Sequence, residues 1–169
     1  MDLSREVGFV IDLAMSQARA LEFVRDVPRS LSLADFLADL QVLAGKPRIV
    51  AASLPVSAAL FGQHELPFRS ELHDTGDGAR LVALPLTPTG PGWAEVSGAA
   101  KVSSAGASSR VDYQFAVTVH LKLPEAAAWG ERALTKLIAM TAESALRNVV
   151  DRFPSALAGA AAQCERARA

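Results

Sequence analysis

The sequence predicts one α+β domain, a curved seven-stranded antiparallel sheet wrapped around a long C-terminal helix, with two short helices after the first strand. Three observations predict it. Residues Val111 to Leu123 alternate apolar and polar with a single blur at Ala116, the period of an antiparallel strand with one wet face. Shorter alternating segments recur upstream, each bounded by residues that favour turns. From about Glu125 to Phe153 the period changes to that of a helix.

Each element follows in order. In Arg5 to Met15 the residues Val7, Phe9, Ile11, Leu13 and Met15 share one face, so this is a half-buried strand. Ser16 is placed to cap a helix over Gln17 to Asp26, in which Leu21 and Val24 recur at helical spacing. Pro28 interrupts that helix, and a second short one is expected from about Arg29 to Ala34. Phe36 to Ala44 alternates loosely, and Gly45-Lys46-Pro47 reads as a turn. Arg48 to Phe61 is a strand rich in small residues, with Pro55 pointing to an edge or a bulge.

Glu65 to Asp74 directs Leu66, Phe68 and Leu72 inward and Glu65, Arg69, Glu71 and His73 outward. Asp74 to Gly78 is the clearest turn, dense in residues that tolerate a positive φ. Arg80 to Leu86 and Trp93 to Ser103 are the next strands, separated by a loop containing Pro88, Gly90, Pro91 and Gly92. Ser104 to Ser108 turns into the last strand. Pro124 ends that strand. On the long helix Leu134, Leu137, Ile138, Thr141, Ala145 and Val149 form one stripe, with Arg132, Lys136, Glu143 and Arg147 opposite. Pro154 is expected to kink the helix or end its packed part, leaving residues 1–155 as the domain and an Ala/Arg-rich tail, 156–169, that frays.

With 169 residues the chain fits a single domain, which at this size buries roughly 70% of its unfolded surface without needing disulfides or metal. Half of the residues are hydrophobic and 21% charged, the balance of a globular chain. A formal net charge of −1 argues against nucleic-acid binding, which asks for a basic face. A lone cysteine, Cys164, forms no internal bridge. No apolar run approaches the length of a membrane span, and the charged N-terminus does not read as a signal peptide, so a cytoplasmic protein is expected.

This order of elements resembles the helix-grip superfamily, which includes START lipid-transfer domains, the birch-pollen-allergen family, polyketide cyclases and coenzyme Q-binding proteins. The resemblance runs from Val7 to Phe153 and rests on element order, not on a sharp motif. It implies a cavity between sheet and C-terminal helix that takes up a lipid, isoprenoid, polyketide or similar molecule. The glycine-rich loop of the pollen-allergen group is missing, since the corresponding stretch reads Ala58-Ala59-Leu60-Phe61-Gly62-Gln63. The stretches Leu60 to Gln63, Leu66 to Arg69 and Trp93 to Val96 also look like a family of deinococcal proteins, a likeness that brings no known function with it.

Sites of obvious chemistry are not found. His64, His73 and His120 have no metal-binding spacing; His73 and His120 fall on outward faces and His64 in a bend. No GxSxG elbow is present, and the acids of Thr75-Gly76-Asp77-Gly78 would repel phosphate. Asp12, Glu95 and Asp112 lie on outward faces. The inward polar candidates are Ser70, Tyr113, Thr141 and Asn148, and buried groups of this kind usually find partners inside the fold. Trp93 and Trp129 read as rim packing or as a partner surface. No cofactor is called for.

Small residues stand where a core should be full: Ala94, Gly98 and Ala100 on one strand, Ala52 and Ala58 on another, Ala145 on the helix. Interiors pack to near-crystal density, so these mean a closer approach of helix and sheet or an unfilled volume. A cavity is expected, lined by Phe68, Leu72, Tyr113, Phe115, Val117, Leu134, Ile138 and Thr141. Three functions compete. The first is a binding or carrier domain for a hydrophobic small molecule. The others are a cyclase- or hydrolase-like enzyme in the same cavity, and an interaction module with a collapsed cavity and a homodimer edge.

Overall fold

The computed structural model describes residues 1–58, 62–87, 90–122 and 131–167, the side chains of 58, 131, 132 and 134 excepted. The elements run β1 (Asp2–Leu13), α1 (Gln17–Arg25), α2 (Val27–Ser30), β2 (Ala38–Leu43), β3 (Arg48–Ala58), β4 (Gly62–Thr75), β5 (Gly78–Ala83), β6 (Gly92–Ala105), β7 (Ser108–Leu121) and α3 (Glu131–Arg166). All seven strands join one antiparallel sheet in the order β1-β7-β6-β5-β4-β3-β2. Helix α3 packs on both β1 and β3, which four strands separate, so the sheet must curl around it. This is the expected helix-grip architecture. Among the described residues no helix is long and apolar enough to cross a membrane.

The strand periods carry through to burial. Odd residues of β1 are partly buried up to Ile11 and even ones exposed. β4 buries Leu66, Phe68, Ser70 and Leu72, and β7 buries Val111, Tyr113, Val117 and Val119. His64 lies within β4, opposite Val56, and not in a bend. Pro55 sits where β3 outlasts its neighbour: pairing with β2 reaches only Ser53, so no strand on that side needs its missing N–H. The loose alternation of β2 is a register shift between Ala38 and Gln41, with Asp39 at a φ of 53°. Gly106 takes a φ of 70° at the β6–β7 turn, a conformation that costs glycine nothing.

Three helical expectations are corrected. Pro28 does not merely interrupt: it stands in the first turn of α2, where its absent N–H is no loss, and the Asp26 side chain accepts from the Arg29 N–H at 3.3 Å. The second helix is therefore Val27–Ser30 and not Arg29 to Ala34.

Helix α3 continues through Pro154 to Arg166 and does not fray at 156. Ala156, Leu157, Ala160 and Ala161 are buried in the core, so packing on both sides of the proline offsets the backbone bond it removes. Alanine is also the best helix former. The described part of the expected tail is thus core structure.

The buried stripe of α3 is rotated from the expected one. It runs through Ile138, Ala142, Leu146, Val149, Val150 and Phe153. Leu137 is 45% exposed and Met140 60%. Asn148 is exposed, not inward.

Candidate functional site

The pair register lays small residues beside aromatic ones at the centre of the sheet. Ala79 faces Ala100, which faces Tyr113; Leu81 faces Gly98, which faces Phe115. A Cβ at Gly98 would stand 2.6 Å from Cδ1 of Phe115 and 2.5 Å from the Gln114 carbonyl oxygen, so the neighbouring strand occupies the space of a side chain there. Above these residues lie α1 and α2, fixed to the sheet by arginines. Arg25 donates to the Gly78 carbonyl at 3.1 Å and the Thr75 carbonyl at 2.5 Å, and Arg48 donates to the Arg25 carbonyl at 3.1 Å.

Between sheet and helices remains a cavity of about 50 Å³, partly open to solvent. Leu72, Ala79, Leu81, Gly98, Ala100, Tyr113 and Phe115 form its floor, and Val24, Val27, Leu31 and Leu157 its roof.

Its wall is almost wholly apolar. Ser30 borders it, but its hydroxyl is turned to the Val27 carbonyl at 3.3 Å. Tyr113 differs. The residue is 3% exposed, and its buried hydroxyl has no hydrogen-bond partner among the described residues. Burial pushes that hydroxyl well above its ordinary pKa, so it stays protonated. Phe9 stacks on the Tyr113 ring at 5.2 Å between centroids and Phe115 at 5.8 Å. Such a phenol can donate a hydrogen bond to an acceptor in the cavity, but it is a poor proton donor or base near neutral pH. No carboxylate, imidazole or thiol among the described residues borders the cavity.

The model of the family described as "Protein of unknown function (DUF3809)" matches residues 8–151. The chain belongs to the DUF3809 family. No curated protein sequence matches it. Among solved structures, this DUF3809 chain is similar to the ZhuI aromatase/cyclase from Streptomyces sp. R1128. The identity is 18%, with a TM-score of 0.60, over 97% of this chain and 95% of that one. It is similar also to a START superfamily protein from Mycobacterium smegmatis, with 15% identity and a TM-score of 0.54, over 94% and 98% of the two chains. The di-domain aromatase/cyclase StfQ of the steffimycin biosynthetic pathway aligns at 15% identity and a TM-score of 0.54. There, 99% of this chain covers 53% of the larger one. At these identities the likeness shows the helix-grip fold.

In the DUF3809 chain, the structure brings only part of the expected lining together. Leu72, Tyr113 and Phe115 border the cavity. Phe68, Val117 and Ile138 are buried away from it; Phe68 lies opposite Ala52 and with it borders a separate hollow of about 310 Å³, and Val117 lies opposite Val96. Thr141 is partly buried, and its hydroxyl donates back to the Leu137 carbonyl at 2.9 Å. The side chain of Leu134, like Trp129 and the whole of 123–130, lies outside the described residues. The roof supplied by α1 and α2 was missed. Its signal was the apolar pair Val24 and Val27 beside Leu31, which a single short helix does not need for its own packing.

Outside the cavity, His120 is wedged on the convex face. Its Nδ1 is 2.9 Å from Asp2, its Nε2 stands 3.5 Å from the Glu95 carboxylate, and Trp93 stacks on it at 4.6 Å. It therefore does not simply point to water. His73 Nε2 lies 2.9 Å from Glu71. Among the described residues no cluster of three or more potential ligands could hold a metal ion.

Proposed function

We propose that this DUF3809 chain is a binding domain for a small, largely apolar molecule carrying one hydrogen-bond acceptor. It takes the molecule up between the β5–β7 region of the sheet and α1–α2. The observation that carries this reading is an apolar cavity lined in part by Tyr113, whose hydroxyl is buried without a partner among the described residues. A buried polar group left unpaired costs about 1–3 kcal/mol, and an acceptor in the cavity would recover it. Helix-grip neighbours that include an aromatase/cyclase and a START superfamily protein support the placement of a ligand between sheet and helix.

The size of the space narrows the earlier expectation. Small-molecule sites usually span roughly 300–1,000 Å³, and this cavity is several times smaller. A single ring or short chain suits it; a full lipid would need the roof to move. The enzyme alternative has little to work with, since Tyr113 and the outward Arg80 are the titratable residues that border the space.

Native mass spectrometry of gently purified protein, set against the denatured mass, tests the proposal. Small added mass that vanishes on denaturation is the expected result. A persistently bare mass, together with a dimer in the same spectrum, would favour the interaction module instead.

A further inference from the structure

On each central strand the inward residues are buried, with one partly exposed row. Between Gly92 and Val102 on β6 the exception is Gly98; between Ser109 and Val119 on β7 it is Phe115. Their register partner on β5, Leu81, is the third. This row also marks where the sheet splits. Pairing of β5 with β6 ends at Leu81–Gly98, while β6 extends six residues further to Gly92. On the convex side of the same place lies a hollow of about 370 Å³, bordered by the outward residues Glu6 and Gln114. Leu81, Gly98 and Phe115 line both this hollow and the inner cavity.

We infer that the cavity is reached across the sheet at this split, and that the Phe115 ring is its gate. The inference rests on the binding reading above. Gly98 lets the Phe115 ring lie across the route, because any side chain there would collide with the ring or with the Gln114 carbonyl. The ring is held from the core side by Phe153, stacked at 5.3 Å, and rotation about its own side-chain bonds moves it off Gly98 without moving a helix. Because one ring has to turn and no backbone bond has to break, such a gate admits slender molecules without unfolding. A route through the sheet also makes Leu81 a determinant of ligand width.

Xenon, which enters small dry cavities, is the probe. Its exchange with the intact 169-residue chain is followed by hyperpolarised xenon NMR in the wild type, Leu81→Trp, Phe115→Leu and Ser32→Trp. Leu81→Trp narrows the split and is expected to slow exchange about tenfold or more, and Phe115→Leu to speed it comparably. Ser32→Trp, exposed beside α2 and outside the cavity lining, is expected to leave the rate unchanged. If Leu81→Trp fails to fold by circular dichroism, Ala99→Trp on the convex rim replaces it. Slowed exchange in Ser32→Trp with a wild-type rate in Leu81→Trp would overturn the route and place the entrance beside α2. Absence of any xenon signal would instead overturn the binding reading itself.

Discussion

The Ser70 hydroxyl donates to the Val96 carbonyl at 2.6 Å, joining β4 to β6 where β5, still paired with Ser70 through Ala83, no longer pairs with β6. Both residues are buried, Ser70 completely. The bond does for the sheet what a backbone ladder would do if β5 and β6 stayed paired. It also sits beside the split through which the cavity is proposed to open.

Ser70→Ala leaves the Val96 carbonyl without that donor in the interior. The expected cost is about 1–3 kcal/mol, read as a lower urea midpoint at unchanged slope. A variant as stable as the wild type would mean that the gap is closed by packing alone.

Leu157 is 2% exposed, three residues beyond Pro154. Leu157→Ala is expected to cost about 2–5 kcal/mol, the range for a buried leucine whose site cannot collapse. A cost near zero, as for a frayed tail, would contradict the continuous α3.

Tyr113 is the only tyrosine, so tyrosinate absorbance reports on it alone. Its native pKa is raised by burial, whereas in the unfolded chain it is about 10. The native state therefore holds the proton longer, and its stability advantage is complete below about pH 10. As pH rises from there towards the native value, stability is expected to fall by about 1.4 kcal/mol per pH unit from this group. Tyr113→Phe should remove that part of the slope in urea melts. Titration of the native phenol at its ordinary pH would show that the hydroxyl reaches water.

Much of the fold was legible because period two survives in burial nearly residue by residue. The inward residues of β7 and β4 fall where alternation puts them, and α1 starts at Gln17 after Ser16, which holds the N-cap position although its side chain makes no capping bond. The site was harder, for a physical reason. Small residues signal either a void or a close approach, and both occur here. Ala100 borders the cavity, while at Gly98 the place of a side chain is taken by Phe115 and the Gln114 carbonyl, and Ala94 is fully buried. Only the long-range packing of α1 and α2 over β5–β7 separates the two cases. The helix stripe slipped because a surface helix leaves its apolar face about 100° wide, so a small rotation keeps Ile138 and Val149 inward but exchanges Leu137 and Thr141 for Ala142 and Leu146. Pro154 misled because packing across a whole helix outweighed one local rule.

The central claim is that Tyr113 donates to an acceptor inside the cavity. The direct test is a methyl chemical-shift titration of the wild type and Tyr113→Phe with cyclopentanone and with cyclopentane. These two probes have similar shape and differ in the carbonyl. A neutral hydrogen bond contributes about 0.5–1.5 kcal/mol, so the wild type should favour the ketone by roughly two- to tenfold over its preference in Tyr113→Phe. The same ketone preference in both proteins would contradict the account, because the hydroxyl would then have no part in holding the ligand.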